Sequence, residues 1–234
     1  MSASLLVVLS VFLISQENAS PGSRMSGTVL DSMNRGIAGV TLSLVSVEDK
    51  KKRQTKTDKQ GRFEFKELPN GKYALDVRQM GFRNDQTVVE ITGADLQRTV
   101  TMRLGGLEET IKVSGRTARG GSQKFPQPDS VKRAAEPCVD SGEGGAIRPP
   151  FKLLHVAPGY PPLMLDSRVE GTVVLTGQLG SDGAPQNLTA TGEPNAGLKG
   201  AAMDAARQFR FSPLLLNCVP TPIDMTLTFV FSVR

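Results

Sequence analysis

The sequence predicts a mainly β protein of two modules: an N-terminal seven-stranded β-sandwich and, after a linker, a small C-terminal α+β domain whose open sheet carries one covering helix. Three observations predict it. Short β-branched and aromatic runs alternate with turn residues over residues 24–115, a composition break follows over 116–143, and residues 144–234 place one helical repeat between strand patterns. Aromatics make up only 5% of the 234 residues and Trp is absent, whereas Gly (24) and Pro (15) are plentiful, as suits small β-rich modules on a loose connector. The net charge of +5 comes with no groove-reading helix and no aromatic platform, which argues against nucleic acid as a partner.

Residues 5–14 are an apolar run of signal-peptide length, too short for an ordinary membrane-spanning helix. No Lys or Arg precedes it, and the best small-residue cut, after Ala19, has Glu17 where a small residue is wanted. Residues 1–20 are therefore expected to be a signal peptide or a weak membrane anchor.

In the first module, Ser26-Gly27-Thr28-Val29-Leu30-Asp31 and Val40-Thr41-Leu42-Ser43-Leu44 read as strands joined through Asn34-Arg35-Gly36. Phe63 and Phe65 point to one side, as do Tyr73, Leu75 and Val77, and turns flank them at Asp58-Lys59-Gln60-Gly61 and Pro69-Asn70-Gly71. Residues 88–91, 99–104 and 111–113 supply the remaining strands of a sandwich. The basic run Lys50-Lys51-Lys52-Arg53 reads as a solvated hairpin loop, with contact to anionic headgroups or an acidic partner as the alternative.

Residues 116–143 are poor in apolar side chains and read as a linker. Two cysteines, Cys138 and Cys218, form one disulfide if the chain is exported and remain two free thiols if it is cytosolic. His155 is the only histidine and has no second ligand at metal spacing, while Gly105-Gly106 and Gly120-Gly121 lack a phosphate-loop context. No catalytic set, metal site or cofactor is expected.

In the last module Val173, Leu175 and Leu179 alternate with Thr172, Thr176 and Gln178, and Ser181-Asp182-Gly183 turns the chain. Leu198, Ala202, Ala205 and Phe209 repeat at helical spacing, and Pro213 prevents continuation. The closing strand alternates Ile223, Met225, Leu227, Phe229, Phe231 and Val233 with polar or smaller residues.

Thr57-Asp58, Gly61, Phe63-x-Phe65, Leu68, Gly71-x-Tyr73 and Gly81-Phe82, in that order, resemble the carboxypeptidase regulatory-like domain, a β-sandwich of the carbohydrate-binding-like fold group. Its aromatics are read as core, because sugar stacking needs an exposed ring. Tyr160-Pro161, Glu170-Gly171-Thr172-Val173, Asp182-Gly183, Arg207-Gln208-Phe209-Arg210-Phe211-Ser212-Pro213 and the Phe-rich final strand resemble the TonB C-terminal domain. That resemblance implies a periplasmic module that grips outer-membrane TonB-dependent transporters by strand pairing, with inner-membrane proton-driven motor proteins as further partners. It implies no catalysis.

The partner-binding residues expected from the resemblance are the final strand, Met225, Thr226, Leu227, Thr228, Phe229, Val230, Phe231 and Ser232, and the lead-in Pro158, Gly159, Tyr160 and Pro161. A central position for that strand, or its closure by a homodimer, is the alternative. Two departures from the family pattern bear on energy transduction. The apolar run lacks the polar Ser and His pair of the family's anchor, and the spacer is short, with Pro only at Pro126, Pro128 and Pro137. A non-transducing extracytoplasmic adaptor or sensor fragment, and carbohydrate binding by the sandwich, are the competing readings.

Overall fold

A computed structural model describes residues 22–115, 122–123 and 137–233. The apolar run at 5–14 and the cut after Ala19 lie outside the described residues. Among the described residues no helix is long and apolar enough to cross a membrane.

Seven strands build the sandwich: Ser23–Leu30 (β1), Thr41–Ser46 (β2), Lys52–Lys56 (β3), Arg62–Leu68 (β4), Gly71–Arg78 (β5), Asp85–Ile91 (β6) and Leu96–Thr101 (β7). They form two sheets, β4-β1-β7 and β3-β2-β5-β6. Phe63 and Phe65 on β4 and Tyr73, Leu75 and Val77 on β5 are buried, as their period-2 spacing requires. The parallel β1–β7 pair is close enough to demand glycine at Gly27, where a Cβ would lie 1.8 Å from the Arg98 carbonyl oxygen.

Two strands differ from the sequence expectation. Lys52 and Arg53 belong to β3 and not to a loop: the turn is confined to the residues before them, with Lys50 in the left-handed region at φ 59°. Four of the five β3 residues are exposed, so this edge strand carries no alternation to read, and its charges discourage pairing by another chain. Residues 111–113, expected in the sandwich, lie in Leu107–Ser114 (β8), which leaves the sandwich and joins the C-terminal sheet. Alternation reports that a segment is extended and half-buried, but not which sheet receives it.

The remaining elements are Ser122–Gln123 (β9), Ile147–Arg148 (β10), Lys152–Val156 (β11), Pro162–Asp166 (α1), Gly171–Leu179 (β12), Pro185–Thr191 (β13), Ala196–Ala206 (α2), Arg210–Phe211 (β14), Leu214–Leu216 (β15), Val219–Thr221 (β16) and Ile223–Ser232 (β17). The main sheet runs β13-β12-β17-β8, beside two small sheets, β14-β11-β9 and β10-β15-β16. Helix α2 starts where Asn195 Oδ1 accepts hydrogen bonds from the backbone N–H groups of Gly197 (2.9 Å) and Leu198 (3.3 Å). It covers the sheet with Leu198, Ala202, Ala205 and Ala206, and Phe209, just beyond its end, is also buried. The turn after β12 needs Gly183, which has φ 76° and whose Cβ would lie 1.9 Å from the Phe211 carbonyl oxygen.

The modules meet at a polar junction. Asp31, fully buried at the end of β1, accepts hydrogen bonds from the backbone N–H groups of Met33 and Arg35 with one oxygen. Its other oxygen accepts from Asn217 Nδ2 at 2.6 Å and from the Gly145 N–H at 3.2 Å. Asn217 and Cys218, at φ 51° and 65°, form the two-residue turn between β15 and β16, and Cys218 is disulfide-bonded to Cys138. The Arg35 guanidinium donates to both carboxylate oxygens of Asp140, at 2.8 and 2.7 Å. Both Asp31 oxygens face donors, so replacing Asp31 by Asn sets its amide NH2 against either the Asn217 and Gly145 donors or the Met33 and Arg35 N–H groups. The expected result is a loss of about 2 kcal/mol, read from denaturant melts, with the β1 side of the junction loosened.

A strand-docking edge as the candidate functional site

Strand β17 is long and regular because five apolar residues alternate along it, and Met225, Leu227, Phe229 and Phe231 are all at most 1% exposed. Its other face carries Thr226, Thr228, Val230 and Ser232, each half-buried. On one side it pairs antiparallel with β12 over Gly171–Leu179. Along the other it pairs parallel with β8, from Met225 opposite Leu107 to Ser232 opposite Ser114. The strand expected from the resemblance to offer an open edge is therefore central, with both edges filled. The sheet's two outer strands are β13 and β8.

The lead-in residues separate into two roles. Tyr160 is a core anchor, 4% exposed, whose hydroxyl donates to the Val169 carbonyl at 2.6 Å and whose ring meets Phe231 edge-on at 5.5 Å. Burial raises the Tyr160 pKa, and nearby Glu170 adds to the rise. The Pro161 carbonyl accepts from the N–H groups of Met164 and Leu165 and so starts α1. Pro158 and Gly159 border an open cleft of about 570 Å³ whose opposite wall is α2, with Gly197, Gly200 and Ala201 along it. The structure thus brings Tyr160 onto β17 and leaves Pro158 and Gly159 facing the helix.

Sequence reasoning missed β8 as part of this site, together with the ion pair that seats it. Glu109 of β8 meets Lys152 of β11 at 2.6 Å, with both side chains about a quarter to a third exposed. Ile111 and Val113 of β8 are 6% and 4% exposed, beside Phe229 and Phe231. The signal was present as the pattern Glu109-x-Ile111-x-Val113, an inward face interrupted by one acid, but its counter-charge lies 43 positions away in a segment with no comparable pattern.

His155 lies on β11 with its ring 4.7 Å from that of Phe209. Burial lowers its pKa, Lys152 lowers it further, and Glu109 opposes the shift. The unfolded chain then binds a proton more readily than the folded one, so stability is complete above the ordinary imidazole range and declines as pH falls through it. Melts between pH 8 and about 5 should show this decline, and the variant His155→Phe should reduce it. Among the described residues no group of three His, Cys, Asp or Glu side chains is placed to hold a metal ion.

Comparison with known families gives the class of each module. Residues 24–105 match the model of the carboxypeptidase regulatory-like domain, and residues 156–233 match that of the Gram-negative bacterial TonB protein C-terminal domain. The chain carries these two domains in that order, and β8 falls between the matched regions. No curated protein matches the chain.

Solved structures similar to it include a Pseudomonas aeruginosa protein named as a carbohydrate-binding candidate, 12% identical, with 36% of this chain and 90% of that one covered at a TM-score of 0.29. Klebsiella pneumoniae 5-hydroxyisourate hydrolase is 26% identical, with 36% and 92% covered at a TM-score of 0.31. The group B streptococcus pilus 2b backbone protein is 13% identical, with 36% and 42% covered, also at 0.31. TM-scores at this level assign neither fold nor activity.

Proposed function

We propose that this chain is a TonB-like protein of the bacterial periplasm that docks on outer-membrane TonB-dependent transporters by strand addition and takes part in energised transport. One observation carries the reading: β17, in the TonB-like module, takes up a parallel strand along eight residues from a segment outside that module's matched region. Main-chain hydrogen bonds supply the affinity in such pairing and alternate side chains the selectivity. The module acts as a gripping surface and not as an enzyme. Contact with an inner-membrane motor would run through residues 1–20, and the short linker favours a chain in which the sandwich itself serves as spacer.

Carbohydrate binding by the sandwich finds less support. Phe63, Phe65, Tyr73 and Phe82 are at most 7% exposed, and the Tyr73 hydroxyl donates inward to the Pro69 carbonyl. Titration of the full chain with peptides from transporter N-terminal segments tests the main reading. Chemical-shift changes along β17 and β8 at millimolar peptide are expected; a folded protein with no shifts at that concentration would refute it.

A further inference from the structure

We propose that β8 is a built-in competitor for the docking edge, a strand that the chain lends to its own β17 and that a partner segment must displace. The inference rests on the strand-addition reading above and adds to it a control and a partner chemistry.

Three observations carry it. First, β8 pairs with β17 alone among the described strands, and Glu108, Thr110 and Lys112 are exposed. Second, β8 lies outside both matched regions and is joined to the sandwich through Gly105-Gly106, where the Gly105 N–H donates to the Gly81 carbonyl and marks the end of the sandwich. Third, its seat is specific: Lys152 receives Glu109, and the Phe229 and Phe231 positions receive Ile111 and Val113. A partner fits the same seat if it is an extended segment that runs parallel to β17 and carries a carboxylate two and four residues ahead of two aliphatic side chains. Lys152 is the residue that selects the carboxylate.

Tethering sets the strength of the competition. A strand on a short connector faces its site at an effective concentration on the order of millimolar, so a tethered β8 whose own intrinsic dissociation constant is about 10 µM weakens any partner for that edge about 100-fold.

The test uses the full chain and a synthetic peptide of the sequence Leu107–Ser114. In the variant I111D/V113D the two aspartates cannot take the apolar seat, and the peptide should bind about 100-fold more tightly than to the unaltered protein. Adding K152E should weaken the peptide about fivefold, and a peptide with Glu109→Lys should recover the loss. Equal peptide affinity for the unaltered protein and the variant overturns the competitor while leaving strand addition intact. Failure of the folded variant to bind either this peptide or a transporter peptide overturns strand addition as well.

Hydrogen exchange on the unaltered protein gives a readout that does not depend on the variant's folding. The amides of β8 should exchange faster than those at the β12–β17 contact. Equal protection of the two overturns the proposal.

Discussion

Truncating Phe229 to alanine is expected to lower the unfolding free energy by about 4 kcal/mol, the cost of removing a buried aromatic ring and leaving the space partly unfilled. Phe229 is fully buried on the central strand, opposite Val173 on β12 and Ile111 on β8, with its ring 6.1 Å from that of Phe209. Urea melts should show a lower midpoint with little change in slope. Thr228→Ala, one residue away on the half-buried face, should cost less than about 0.5 kcal/mol. A Phe229→Ala loss below 1 kcal/mol would mean that the core around β17 is not packed as described.

The second large effect concerns the disulfide. Cys138 and Cys218 are 80 positions apart, and in the chain-entropy model a closed loop of that length constrains the unfolded chain by about 4 kcal/mol. The bond also holds the segment around Asp140 against the β15–β16 turn, where Arg35 and Asp31 reach across from the sandwich. Cys218 lies in the left-handed region that Asn or Gly enters more readily, so the turn relies on the bond and on the Asn217 contacts together. The variant C138S/C218S should therefore lose about 4 kcal/mol in melts. The same loss should follow reduction of the unaltered protein, and reductant should have no effect on the variant. An unchanged midpoint would show that the junction is held by its hydrogen bonds alone.

Much of this architecture is legible from residue patterns because it is local. The alternation of Phe63 with Phe65 and of Tyr73 with Leu75 and Val77, the turn at Asp182-Gly183 and the apolar repeat of α2 each depend on neighbours a few positions away. What is not legible depends on distant pairing or on edges. β3 is exposed on both faces, so no apolar period marks it. β8 has the period of a strand, but the choice between the sandwich and β17 is made by Ile111 and Val113 meeting Phe229 and Phe231, more than a hundred positions later. Tyr160 stands in a motif that suggests an exposed grip, yet its hydroxyl has a buried partner in Val169 and its ring packs on β17. Asp31 gives no sign in the sequence that Asn217 closes on it.

The placement of β8 also changes what partner binding must involve. On the strand-addition reading proposed above, an open final strand would capture a partner segment directly, whereas a filled one would make capture an exchange whose outcome depends on the incoming side chains.

The most direct measurement follows individual amides by hydrogen exchange and NMR while the full chain is titrated with a transporter N-terminal peptide. If the β8-facing edge of β17 is the docking edge, the β8 amides lose protection as the peptide binds while the β12–β17 amides keep theirs. Binding that leaves β8 protected, or that perturbs β13 instead, would contradict this account.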